Sequence, residues 1–366
     1  MKFMDDFLTE IDKKVINGER ISESEAERLF ETEDLTGLGR VANRANTLKN
    51  GDRVFFNINR HVNPSNLCVN HCQFCAFYRK NEDEPGAYEQ TIPEILEKLK
   101  GDVAGGATEV HIVGGLHPTW QFEHYVEIVR EIHSHYPDLH IKAFTCVEID
   151  HFAAISGKPV EEVFEVLKDA GLGSMPGGGA EVFSPRVRKK LCPKKISGDR
   201  WLEIAEAAHR SGLKSNATLL YGHIETVEER IDHLSRLRQL QDKTGGFQAF
   251  IPLSWHKEGT ELEHLLSISG ATGLDDLKMI AVSRIFLDNF EHIKAYWVML
   301  GKKLAQTALL FGANDLDGTV VDERVTFMAG GKSDRFSTID EIIHLIRSAG
   351  RVPVERNTLY ESLKIC

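Results

Sequence analysis

The chain has 366 residues, 42% of them apolar and 27% charged, with a formal net charge of −11. So large an apolar fraction supports a sizeable core and excludes a disordered chain. An acidic chain is also a poor general nucleic-acid binder, because its field repels a phosphate backbone.

The first residues, Met1-Lys-Phe-Met-Asp-Asp-Phe7, lack a basic region followed by an apolar stretch, so no secretory signal is expected. No later run is long and apolar enough to span a bilayer. Residues 2 to about 48 place Phe7, Leu8, Ile11, Val15 and Leu29 at helical spacing among charged residues. They read as an N-terminal helical cap, residues 1–48.

From Arg53 the rhythm changes. Candidate strands are Val54–Ile58, Glu109–Val113, His140–Thr145, Leu172–Met175, Ser215–Tyr221, Phe247–Pro252, His292–Trp297 and Leu316–Val321. Amphipathic helical patterns lie between them, at Ile92–Leu99, Phe122–His135, Val160–Ala170, Arg200–Ser211 and Val227–Lys243. Asp275–Asn289, Lys302–Phe311 and Ile339–Ala349 continue the series. Strand–helix alternation implies a parallel sheet. Eight units over residues 49–350 fit a closed (β/α)8 TIM-type barrel, with an open doubly wound sheet as the alternative. Residues 351–366 read as a tail packed on that barrel.

In such a barrel the loops after the strands share one face, where an active site forms. The first of them holds Cys68, Cys72 and Cys75, spaced C-x3-C-x2-C. Three thiolates can hold a cubane of four irons and leave one iron open to a small molecule. The other three cysteines, Cys146, Cys192 and Cys366, are scattered, which is no disulfide framework and suits a reducing cytoplasm. The plainer reading is a structural zinc site completed by His71 or His61. Zinc ligands usually come as two short pairs, and no second pair is present.

Later loops add Gly114-Gly115, Val147–His151, Gly177–Glu181, Gly222–Glu225, Ser254–His256 and Asp317-Gly318. An isolated Gly-Gly is usually only a turn. One unit after the cysteine loop it also allows close backbone approach to a ligand. Glu181 and Arg200, nineteen positions apart, are either surface charges or one pocket's acid and guanidinium. His61, His117, His223 and His256 come from four loops, and Arg60 and Arg79 flank the cysteines. Each is a candidate for anion binding, against ordinary packing or solvation.

The cysteine loop resembles that of the radical S-adenosylmethionine (SAM) superfamily. Asn59-Arg-His-Val-Asn-Pro-Ser-Asn66, His111-Ile-Val-Gly-Gly-Leu-His-Pro118, Lys142–Asp150, Pro176-Gly-Gly-Gly-Ala-Glu-Val-Phe183, Gly245–Pro252 and Asn314–Thr319 are more specific. Together they resemble the aminofutalosine synthases of the futalosine route to menaquinone, from about residue 35 to residue 350. The resemblance implies a radical SAM (β/α) barrel with a [4Fe–4S] cluster on Cys68, Cys72 and Cys75. SAM is then a consumed co-substrate, held by Gly114, Gly115, Glu148, Glu181 and Arg200. The implied reaction adds the 5′-deoxyadenosyl radical to the vinyl carbon of 3-[(1-carboxyvinyl)oxy]benzoate. Aryl migration and loss of bicarbonate give 6-amino-6-deoxyfutalosine and methionine. Arg60, His61, Arg79, His117, His223 and Asp317 are the candidates for holding that dicarboxylate. A flavodoxin or ferredoxin is the implied one-electron donor. The competing readings are cyclic dehypoxanthine futalosine synthase, with the same cysteine loop, and a non-catalytic iron–sulfur or zinc protein.

Overall fold

A computed structural model of the chain describes residues 3–265, 269–328, 330 and 336–366. Three helices, Asp6–Asn17, Glu23–Glu31 and Leu35–Asn50, open the chain. Asp5, Ser22 and Asp34 cap them by accepting backbone N–H groups of the first turn. Their apolar faces pack on the later helices Gly273–Phe286 and Val227–Thr244.

The strands are β1 (Arg53–Asn57), β2 (Asn59–Val62), β3 (Glu109–Ile112), β4 (His140–Ala143), β5 (Leu172–Met175) and β6 (Lys214–Tyr221). They continue with β7 (Phe247–Ser254), β8 (His292–Ile293), β9 (Asp315–Gly318), β10 (Val352–Arg356) and β11 (Ser362–Ile365). Strands β2 to β8 form one parallel sheet in chain order, each pair joined by a helical crossover. Single parallel bridges, Lys294 to Asp315 and Arg60 to Val321, carry the segment from β9 across the gap between β8 and β2. The sheet thus curls toward a barrel, and the eighth position is held by isolated bridges. Below it lies a four-stranded sheet in the order β11-β10-β1-β9.

Three expectations change here. The strand expected at Val54–Ile58 is two strands. Val54, Phe55 and Phe56 belong to β1 of the small sheet, while the barrel strand is the polar Asn59–Val62. Hydrophobic pattern pointed to the wrong member because this stretch of the barrel wall carries Asn59 and His61, both buried. The stretch Val147–His151, expected as loop, lies in a helix, Cys146–Ser156. Thr145 and Glu148 form its capping box, a Thr-x-x-Glu signal visible in the sequence. Residues 351–366, expected as a packed tail, supply β10 and β11.

Candidate active site

The cysteine loop leaves β2 and is stitched to its surroundings by backbone hydrogen bonds. Cys68 donates to the Arg79 carbonyl at 3.0 Å, and Arg79 donates to that of Asn66 at 2.7 Å. Gly115 donates to the Ser65 carbonyl at 2.9 Å, and Val69 to that of Leu116 at 3.0 Å. A Cβ on Gly115 would lie 2.1 Å from the Leu67 carbonyl oxygen. The double glycine therefore lets the loop after β3 close against the cysteine loop itself.

Cys68, Cys72 and Cys75 are free thiols lining one cavity of about 200 Å³. Gly114, Gly115, Glu148, Glu181 and Lys195 line it too. Burial raises the thiols of Cys72 and Cys75, and the Lys195 ammonium opposes that rise. Neither histidine considered as a fourth zinc ligand lines this cavity. His71 stacks on Tyr78 at 5.4 Å, and His61 lines a second cavity. Among the described residues no three His, Cys, Asp or Glu groups gather as a single metal ion requires. Three thiols around one open space are the donor set of a cluster with one unprotected iron.

Glu148 is buried and accepts the Thr145 N–H at 2.7 Å and the Gly114 N–H at 3.1 Å. Burial pushes its carboxyl up to about 7 despite these hydrogen bonds. Glu181 has a left-handed backbone, φ +49°, after three glycines. Its carboxylate takes a 2.7 Å hydrogen bond from Lys195. Arg188 fixes this turn by donating to the Ala180 carbonyl at 2.6 Å.

A second cavity of about 270 Å³ shares Cys75, Thr145 and Glu181 with the first. Its walls include His61, His111, Asn216, Thr218, Trp255, His256 and Asp317. Close to it lies a buried ionic layer. Lys142 meets Glu109 at 2.5 Å, Lys294 meets Asp317 at 2.8 Å, and Arg356 meets Asp315 at 2.7 Å. Burial would raise the Asp317 carboxyl, but Lys294 and Lys142 outweigh it and hold it at about 2. Burial keeps His61 neutral, lowering it to about 4.

Comparison with known proteins decides what this arrangement is. Residues 62–237 match the radical SAM superfamily, and residues 244–366 match the CofH/MqnC C-terminal region. An aminodeoxyfutalosine synthase of Thermus thermophilus is 44% identical, over 98% of this chain and 96% of its own length. That of Streptomyces coelicolor is 43% identical, over 97% and 94%. This chain belongs to the radical SAM superfamily, in the family of the aminodeoxyfutalosine synthases. A related transferase of Methanopyrus kandleri, 5-amino-6-(D-ribitylamino)uracil–L-tyrosine 4-hydroxyphenyl transferase, is 42% identical over 89% of both chains. Among solved structures, methylornithine synthase shares the fold with a TM-score of 0.75, at 21% identity over 94% of this chain and 97% of its own. The hydrogenase maturase HydG of Carboxydothermus hydrogenoformans does so at 0.71, with 19% identity over 96% and 80%.

Radical SAM enzymes use a [4Fe–4S] cluster and SAM, and the cysteine cavity fits both requirements. The structure brings Gly114, Gly115, Glu148 and Glu181 to that cavity, and His61, His256 and Asp317 to the adjoining one. It does not bring the remaining candidates to either.

Arg200, expected beside Glu181, starts a helix on the outer wall and pairs with Asp150 at 2.8 Å. Lys195 takes its place at Glu181. Arg60 points away from His61, its neighbour on β2, and pairs with Asp102 at 2.8 Å and Asp322 at 3.0 Å. Arg79 donates to the carbonyls of Ala76, Tyr78 and Pro85, so it shapes the cysteine loop. His117 is locked by Glu89 on one ring nitrogen and by the N–H groups of Thr119 and Trp120 on the other. His223 accepts the Ile224 N–H and donates to the Leu220 carbonyl within its own turn. Lys195, His111, Asn216 and Trp255 were not singled out. Lys195 closes the basic run from Arg186, which was the available signal.

Proposed function

We propose that this chain is an aminodeoxyfutalosine synthase that joins the adenosyl group of SAM to 3-[(1-carboxyvinyl)oxy]benzoate. The products are 6-amino-6-deoxyfutalosine, methionine and bicarbonate. The observation that supports this reading most is the full-length 44% identity to the Thermus thermophilus synthase, together with a cysteine cavity that shares lining residues with a second one. A reaction between two small molecules needs them side by side, and the shared lining residues Cys75, Thr145 and Glu181 mark where the two spaces meet.

Cys68, Cys72 and Cys75 would hold the cluster, which when bound supplies the electron that cleaves the SAM sulfonium. Glu181 and Lys195 offer a carboxylate and an ammonium to the amino and carboxylate groups of SAM. The Gly114-Gly115 backbone lines the same space. Buried walls in the second cavity keep water from a reactive carbon centre and orient the alkene for addition. A flavodoxin or ferredoxin serves as electron donor, and the cytoplasm is the compartment. No helix among the described residues is long and apolar enough to cross a membrane.

The 42% identity to the hydroxyphenyl transferase makes a second reading specific, namely attack on tyrosine and a ribitylaminouracil. Anaerobic incubation with SAM and each co-substrate separates the readings. The enol ether should give a covalent adenosyl product. Turnover of tyrosine with the uracil, or free 5′-deoxyadenosine formed with dehypoxanthine futalosine, replaces the assignment.

A further inference from the structure

We propose that His61 and His111 form the seat for the ring carboxylate of the aromatic co-substrate. This rests on the reading above that the co-substrate is a 3-substituted benzoate.

His61 of β2 stands opposite His111 of β3, and His111 stands opposite Lys142 of β4. The two imidazoles lie 4.5 Å apart, ring centre to ring centre, and both line the second cavity. His61 is 5% exposed, and its Nε2 is buried without a hydrogen-bond partner. His124 and His151 also have an unpartnered ring nitrogen, but neither lines either cavity, whereas His61 Nε2 and the Trp255 Nε1 both face this one. A buried imidazole without partners forfeits its hydrogen bonds unless a ligand supplies them. With Asp317 the pair does not gather as a metal site among the described residues.

Depth selects which end of the co-substrate reaches it. Val113 lines both cavities, and His111, two residues earlier on the same strand face, lines only the second. The histidines thus lie one layer farther from the cysteines. The vinyl group must meet the adenosyl carbon near the shared wall. The ring carboxylate, meta to the ether oxygen, is the far end of the molecule and points to the floor.

Charge permits a carboxylate there. Glu109, Asp315 and Asp317 balance Lys142, Lys294 and Arg356, so the floor carries no net charge of its own. Asp317 lines the cavity, but it is engaged with Lys294. A neutral imidazole has one N–H to donate, and a pair can grip both carboxylate oxygens.

Binding to the oxidised, cluster-loaded protein without reductant tests this by calorimetry, free of any turnover. The two probes are 3-[(1-carboxyvinyl)oxy]benzoate and 2-phenoxyacrylate, which lacks the ring carboxylate. The native protein should prefer the first by about 30-fold or more, the scale of hydrogen bonds to a charged group. In His61→Phe and His111→Phe that preference should fall to within about threefold, with SAM affinity unchanged, and His61→Gln should restore part of it. Should His61→Phe not fold, His111→Phe decides by the same ratio. Variants that fold and keep the native preference overturn the inference alone. A native protein that binds neither probe overturns it together with the functional reading.

Discussion

The Nζ of Lys195 lies 2.7 Å from Oε1 of Glu181, and both residues line the cavity of the three cysteines. Burial would lower the lysine, but Cys72 and Glu181 hold it firmly protonated. Lys195→Met leaves Glu181 buried without its counter-ion. Removing one partner of a buried pair costs about 3 kcal/mol. Urea denaturation should show that loss, and Glu181→Gln in the same chain should recover most of it, because the pair acts as a unit.

Arg200→Ala should behave differently. Its guanidinium is 41% exposed and engaged with Asp150 and Glu203 on the outer wall. Such pairs contribute up to about 1 kcal/mol. Equilibrium dialysis should find SAM affinity changed by less than about twofold, whereas Lys195→Met should weaken it at least about tenfold. A large loss in the arginine variant would return Arg200 to the site.

Gly115→Ala should damage the cysteine loop without touching a ligand group. Its new Cβ would sit 2.1 Å from the Leu67 carbonyl oxygen, and backbone cannot swing aside as a side chain can. Overpacking of this kind costs roughly 1–3 kcal/mol. Iron content after anaerobic reconstitution should fall together with the melting temperature. Gly114→Ala, whose Cβ meets the Ser65 carbonyl oxygen at 3.3 Å, should be milder.

Glu148 sets a pH dependence. Its folded carboxyl, at about 7, lies above the ordinary 4.5, so the folded state holds the proton longer than the unfolded state. Stability from this group is therefore highest below pH 4.5 and is lost as pH rises toward 7, by about 3 kcal/mol. Unfolding free energies from pH 5 to 8 should fall less steeply in Glu148→Gln than in the native chain.

Cys72→Ala should leave the barrel folded and iron retention abolished. Circular dichroism and iron analysis on the same anaerobic sample check both halves. A variant that keeps native iron and cleaves SAM at the native rate would remove Cys72 from the ligand set.

The sequence made the cysteine spacing, the glycine turn and the strand–helix alternation legible, because each follows from local chemistry or periodicity. It did not reveal which cations turn inward. Arg200 and Lys195 both follow Glu181 closely, but Lys195 sits in the turn between the helices Pro185–Leu191 and Gly198–Arg210 and reaches the cavity, while Arg200, in the first turn of the second helix, faces outward. Arg60 and His61 are adjacent, yet the strand pleat places them on opposite faces. The expected strand Val54–Ile58 was misplaced because the more apolar run serves the small sheet beneath.

That small sheet carries a consequence for biosynthesis. Asp315, 0% exposed, is neutralised by Arg356, a residue translated forty-one positions later. Until Arg356 emerges from the ribosome, closing the wall at β9 would bury a carboxylate short of one cation, at a cost of several kcal/mol. A nascent polypeptide therefore keeps that wall ajar, with strand edges exposed to neighbours. Chains stalled before Arg356 should collect as chaperone-bound or aggregated species, whereas those released just beyond it should be able to shut.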